Sequence, residues 1–211
     1  MRWCHLFRVD RPLRPGSRFA PAVWAVLTIA IAGSAVGCGP TKAGVGGPEA
    51  VDPLRLAQVL PTPSGMIDDG AARKGLLEDI QPALAGREDP GGVERLRVAG
   101  FVAGALREWT TEDGGRLTAV LTVWDEKITA TNVGAGSVGL LSDEPGARAW
   151  TPSKIPGSQG VKVGDPVTQQ ALSSGVGENL IFLRAEGPVP EPAIVRTMEL
   201  AIKTARGGLI V

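Results

Sequence analysis

Two apolar runs, Leu96–Trp109 and Arg116–Trp124, flank the four residues Glu112-Asp113-Gly114-Gly115, and this arrangement restricts the possible folds more than any other part of the chain. The second run, RLTAVLTVW, alternates. Leu117, Ala119, Leu121 and Val123 fall on one side; Arg116, Thr118, Val120, Thr122 and Trp124 fall on the other, which is half polar. A period of two is that of a strand, and the paired glycines supply the positive φ that a tight connection requires. The segment therefore predicts an antiparallel hairpin. A hairpin alone is unstable in water, so its apolar side needs further strands or helices against it.

The rest of the sequence supplies them. Thr168–Val176 and Leu180–Ala185 read as a second hairpin across Gly177-Glu178-Asn179. Leu54–Leu60 reads as a short helix stopped by Pro61 and Pro63, and Asp68-Asp69 as the cap of a helix reaching about Leu84, interrupted by Pro82. Asp125 to Leu141 is assigned to a helix because a crossover is required there, although its Thr and Gly content is poor for one. Ala147–Ile155 and Val161–Val163 suggest short strands. Glu191–Arg206 has Pro192 in its first turn, a stripe of Ile194, Val195, Met198, Ala201 and Ile202, and Gly207 beyond its basic end. The expected class is α+β: an antiparallel sheet of two hairpins with helices packed on one side. No internal repeat is evident.

At the N-terminus, Ala20–Ala35 (APAVWAVLTIAIAGSA) carries no charge and follows a segment bearing Arg2, Arg8, Arg11, Arg14 and Arg18. This is the layout of a signal peptide, and 16 apolar residues are few for a bilayer span, which needs about 20. Ser34-Ala35-Val36-Gly37-Cys38 then resembles the lipobox of bacterial lipoproteins, with Ala35 in place of the preferred leucine. The resemblance implies cleavage before Cys38 and lipid attachment to it. The alternative is a retained signal-anchor helix with an incidental cysteine. Residues 39–53, GPTKAGVGGPEAVDP, read as a flexible tether. The expected organisation is a signal peptide over 1–37, a lipidated Cys38 with its tether over 38–53, and an extracytoplasmic domain over 54–211.

Composition excludes much chemistry. The sole histidine, His5, and one of the two cysteines, Cys4, lie in the part to be removed. The mature chain then has no histidine and only the anchor cysteine. It cannot build a Ser-His-Asp or Cys-His catalytic set, a His or Cys zinc site, or an intrachain disulfide. The whole chain has 22 basic and 22 acidic residues. Removing residues 1–37 takes away five arginines and Asp10, leaving the remainder with a net charge of −4. A mildly acidic domain is a poor partner for nucleic acid.

Four sets of residues carry possible chemistry. Gly134-Ala135-Gly136-Ser137-Val138-Gly139 matches G-x-G-x-x-G, but Pro145 and the early Asp143-Glu144 do not suit a dinucleotide fold, so the glycines are read as packing or flexibility. Ser137, Ser153, Ser158, Ser173 and Ser174 lie in no nucleophile elbow. The acidic pairs Asp68-Asp69, Glu78-Asp79, Glu88-Asp89, Asp125-Glu126 and Asp143-Glu144 fit turns and helix starts, with a glycosidase-like carboxylate pair as the alternative. Trp109, Trp124 and Trp150 are candidate ligand contacts: the first two are expected to lie near each other across the hairpin and, with Phe101 and Phe182, to line an apolar pocket for a lipid or a glycan platform. Ordinary core packing is the competing reading.

Sixteen arginines against six lysines, with abundant Gly and Ala, match the bias of high-GC bacteria. Taken with the lipobox around Cys38 and the Gly/Pro tether, the chain resembles the small cell-envelope lipoproteins of mycobacteria and their relatives, some of which have folds similar to kinase extracellular sensor domains. The resemblance implies a lipid anchor at the extracytoplasmic face of the cell membrane. It transfers no catalytic or ligand residue. The expected function is a non-enzymatic binding or sensing module for an envelope lipid, glycan or protein, held to the membrane through its anchor, with no cofactor and no metal. A carboxylate-dependent wall-polymer hydrolase and a purely structural envelope lipoprotein are the alternatives.

Overall fold

The computed structural model describes residues 53–68 and 73–207. The signal segment, Cys38, the tether up to residue 52 and Asp69 lie outside the described residues. Among the described residues, no helix is long and apolar enough to cross a membrane.

The two predicted hairpins form and supply the middle of the sheet. β3 (Phe101–Thr110) pairs with β4 (Arg116–Trp124), and β7 (Gln169–Val176) pairs with β8 (Asn179–Glu186). In the first loop Gly114 adopts φ 82°, and the Thr111 hydroxyl accepts from the Gly115 N–H at 2.7 Å. The hairpins join through an antiparallel β4–β8 ladder running from Arg116↔Glu186 to Val123↔Asn179. β6 (Gln159–Val163) and β5 (Arg148–Trp150) extend the β7 side, while the two-residue strands β1 (Ile67–Asp68) and β2 (Arg73–Lys74) share the free edge of β3. Among the described residues, eight strands pair antiparallel in the order β1-β3-β4-β8-β7-β6-β5, with β2 beside β1 on β3.

The α+β class and the antiparallel sheet are those expected, but helices cover both faces of the sheet, not one. On the first face, Leu117, Ala119 and Leu121 of β4 and Ile181, Leu183 and Ala185 of β8 pack with α1 (Pro53–Val59) and α5 (Glu191–Arg206). On the second face, Val120 and Trp124 of β4 and Leu180 and Phe182 of β8 pack with α2 (Leu77–Ala85) and α4 (Lys127–Ser142). Of the face of β4 that reads as half polar, Arg116 is exposed and Thr118 half-buried, while Val120, Thr122 and Trp124 are buried, the polar member of these three being answered internally. Thr122 is fully buried and its hydroxyl accepts from the Trp124 indole Nε1 at 2.8 Å. Full burial of a Leu, Ile or Phe side chain contributes roughly 1.5–3 kcal/mol each, so two faces supply about twice the core of one.

Three element boundaries depart from the sequence reading. Leu96–Val98 belong to a short helix, α3 (Gly92–Val98), and the strand begins only after Gly100 reverses the chain at φ 90°. α2 starts at Leu77, because Asp68 is drawn into β1 opposite Trp109. Of Ala147–Ile155 only Arg148–Trp150 is a strand.

α4 forms as expected despite poor propensity, because Ala130, Gly134, Val138 and Leu141 face the sheet. The glycines of its G-x-G-x-x-G stretch differ in role. A Cβ on Gly134 would lie 2.7 Å from Leu180 Cδ1 and 3.2 Å from Ser173 Oγ, whereas a Cβ on Gly136 would meet nothing within 4 Å. Gly136→Ala should therefore raise stability by about 0.5–1 kcal/mol through helix propensity alone. Gly134→Ala should lower it, as the buried Leu180 has nowhere to move. Urea midpoints of the two variants check this; equal shifts would refute the assignment. Thr122→Val should cost about 1–3 kcal/mol by leaving the buried Trp124 N–H without an acceptor, measurable in the same titration.

Candidate functional site

The second face of the sheet changes character along its strands. The row Leu106, Val120, Phe182 is apolar and buried. Two residues further along, the row is Glu108, Thr118, Arg184; two further still it is Thr110, Arg116, Glu186. These positions share a parity, so their side chains stand on one surface. α2 lies beside this strip. Its buried face, Ile80 and Leu84, closes the core, while Glu78, Asp79, Pro82, Ala83 and Gly86 flank an open cleft. Arg87 and Glu88 line its end. The cleft has a volume of about 470 Å³.

Arg184 is the centre of the floor. Only 14 % of its side chain is exposed. Its Nε lies 3.1 Å from a Glu186 carboxylate oxygen, without hydrogen-bond alignment, and its Nη2 donates to Gln169 Oε1 at 3.3 Å. Arg116 approaches the other Glu186 oxygen at 3.5 Å, so one carboxylate serves two guanidiniums. Glu108 accepts from the Thr118 hydroxyl at 3.3 Å.

α2 is shaped to make this possible. Pro82 within the helix cannot donate to the carbonyl of Glu78. Gly86 ends the helix in the left-handed region at φ 71°, its N–H donating to Pro82 O at 2.7 Å. A Cβ at Gly86 would fall 1.7 Å from Arg184 Nη1, so the glycine both turns the chain and makes room for the guanidinium. Gln81, buried beneath, donates to Arg87 O at 3.3 Å and accepts from the Asp89 N–H at 3.1 Å, which fixes the loop bearing Arg87 and Glu88.

The tryptophans are elsewhere. Trp109 pairs with Leu117 at one end of the hairpin and Trp124 with Phe101 at the other, and they lie on opposite faces of the sheet. Each is 0 % exposed. Trp109 donates to Thr62 Oγ1 at 3.3 Å beneath Arg107; Trp124 meets Phe101 edge-on with ring centroids 5.7 Å apart, and Phe182 belongs to the same filled core. The two do not meet across the hairpin and line no shared pocket. Trp150, half-buried on the edge strand β5, is covered by Lys162, whose Nζ sits 4.4 Å from the ring centroid and also pairs with Glu191.

The other candidates also separate. Gly134–Gly139 lie inside α4, without the strand-to-helix turn that a dinucleotide needs. Ser137 and Ser158 donate to the backbone carbonyls of Val133 and Ile155. Of the acidic pairs, Glu78-Asp79 and Glu88 line the cleft; Asp89 instead pairs with Arg95. Among the described residues, no three His, Cys, Asp or Glu side chains are placed to hold a metal ion. Sequence reasoning missed Glu108, Arg116, Arg184 and Glu186. The signal that could have found them is their common parity on consecutive ladder strands.

No protein-family model matches the chain, and no curated protein matches it. Its fold is similar to that of the extracellular domain of PknH, a kinase of Mycobacterium tuberculosis. The superposition has a TM-score of 0.50, covers 76% of this chain and 100% of that domain, and joins residues that are 13% identical. The likeness is one of fold.

Gly86→Ala should destabilise the domain by about 1 kcal/mol or more from the left-handed backbone and the collision with Arg184. In an Arg184→Ala background the same substitution should cost at least about 0.5 kcal/mol less. Additive costs in a double-mutant cycle would show that the two residues are not coupled.

Proposed function

We propose that the chain is an extracytoplasmic, lipid-anchored binding module without enzymatic activity, and that its ligand site is the cleft between α2 and the sheet. The cleft carries the proposal: it is a preformed concavity of about 470 Å³, within the range of small-ligand sites, whose floor arginine is held by defined partners. Such a site binds by position and charge and needs no moving part. Its lining favours a polar ligand over a lipid tail. A glycan platform of tryptophans has no support, since two of the three are core residues.

The extracytoplasmic assignment draws on two supports. One is the likeness of fold to an extracellular domain. The other is the apolar Ala20–Ala35 followed by Cys38. A diacylglycerol thioether on Cys38 would place two acyl chains in the bilayer, which holds a domain stably where a single chain does not. In its bacterial host, the full chain should incorporate an alkyne-tagged fatty acid and fractionate with membranes. Cys38→Ala should abolish the label and release the protein or leave its precursor uncleaved. A Cys38→Ala protein that matures normally and remains in the membrane would replace the lipid anchor with a retained helix.

A second reading has one observation behind it: Glu108 and Glu186 stand on the same cleft floor, as a carboxylate-dependent wall hydrolase would require. Against it, Glu186 is engaged by two guanidiniums. Incubation of the full chain with purified wall polymer should release no soluble fragments. Release that is lost on Glu108→Gln would establish the hydrolase.

A further inference from the structure

On the reading of the α2 cleft as a ligand site, we infer that its ligand presents a protonated amine on a short aliphatic stem, either free or borne by a peptide. The charge balance of the lining sets the sign. The floor is neutral within itself: Arg116 and Arg184 both lie within 3.5 Å of the Glu186 carboxylate, and Glu108 adds a second carboxylate to balance the second guanidinium. An anionic ligand would add a third negative charge to a floor whose two guanidiniums already face two carboxylates. The flank formed by α2 and its loop is different. Glu78, Asp79 and Glu88 line the cleft and form no ion pair among the described residues, and only Arg87 offsets them.

The surplus negative charge lies along a concave wall that also holds Pro82, Ala83 and Leu106. Low-dielectric walls concentrate the field of such carboxylates, which are individually weak when fully in water. The apolar side chains offer contact for methylenes, as a lysine stem finds on protein surfaces. Three other ligand classes fit less well. A metal ion needs three or more ligands gathered at one point, and the carboxylates are spread along the cleft. A sugar ring prefers an aromatic face, and the lining has none. A lipid tail would desolvate the eight charged side chains that line the cleft.

The test uses the full chain in detergent micelles and four probes measured by calorimetry: cadaverine, glycyl-lysine, succinate and N-acetylglucosamine. Cadaverine and glycyl-lysine should bind, and their affinity should fall as sodium chloride is raised. The double variant Glu78→Gln/Asp79→Asn should weaken both by about tenfold, the sum expected of two partly screened ion pairs. Glu88→Gln, outside the helix, should weaken them several-fold in a domain whose folding is untouched. Glu94→Gln on α3, paired with Arg97 and away from the cleft, should change nothing. Preference for cadaverine would indicate a free amine, and preference for glycyl-lysine a peptide-borne one; either supports the inference. Binding of succinate or N-acetylglucosamine that is lost in Arg184→Ala, with no amine bound, would overturn the amine while keeping the cleft as the ligand site. If none of the four binds, or the variants bind all four unchanged, both the amine and the cleft are wrong.

Discussion

The antiparallel ladder between β4 and β8 is the interaction on which the rest of the structure depends. It joins two hairpins separated by the whole of α4, β5 and β6, and it places four long strands side by side at the centre of the sheet. Without it each hairpin would present two apolar faces to water. With it, Leu117, Ala119 and Leu121 meet Ile181, Leu183 and Ala185 on one side, while Val120 and Trp124 meet Leu180 and Phe182 on the other. The closure of so long a loop is entropically costly, and the burial of both faces at once offsets it.

The same ladder creates the cleft. Register places Thr118 opposite Arg184 and Arg116 opposite Glu186, and the β3–β4 register adds Glu108 to the same strip. A slip of one residue would turn all of these to the other face, among α1 and α5, and send the core residues outward. α2 is too short to cover the entire strip, and it ends at Gly86 directly against Arg184. Core and candidate site are therefore two consequences of one register: the apolar rows are sealed, and the next rows are left open and charged.

Much of this is legible in the sequence. Both hairpins, with their glycine loops, follow from alternation and turn chemistry, and α5 from its stripe and end residues. α4 was legible only through topology. Where reading failed, the cause is tertiary. Leu96–Val98 are apolar enough for a strand, yet they close α3, because strand pairing begins only beyond Gly100. Thr122 and Trp124 lie on the side that reads as half polar, yet they satisfy each other in the core. Trp109 and Trp124 invited a shared pocket because a hairpin brings its strands together, but register put them at opposite ends and their odd and even positions on opposite faces.

By itself the sequence determined the class of the domain, the absence of histidine and disulfide chemistry after residue 38, and the expectation of an exported, anchored chain. These depend on local periodicity and on which residue types are present, and both are properties of the linear chain. Only the tertiary structure decided that helices cover both faces, that the tryptophans are core residues, and that Glu108, Arg116, Arg184 and Glu186 share one floor. Those outcomes depend on register between strands up to some 70 residues apart, and no local pattern encodes which carboxylate will meet which guanidinium across such a distance.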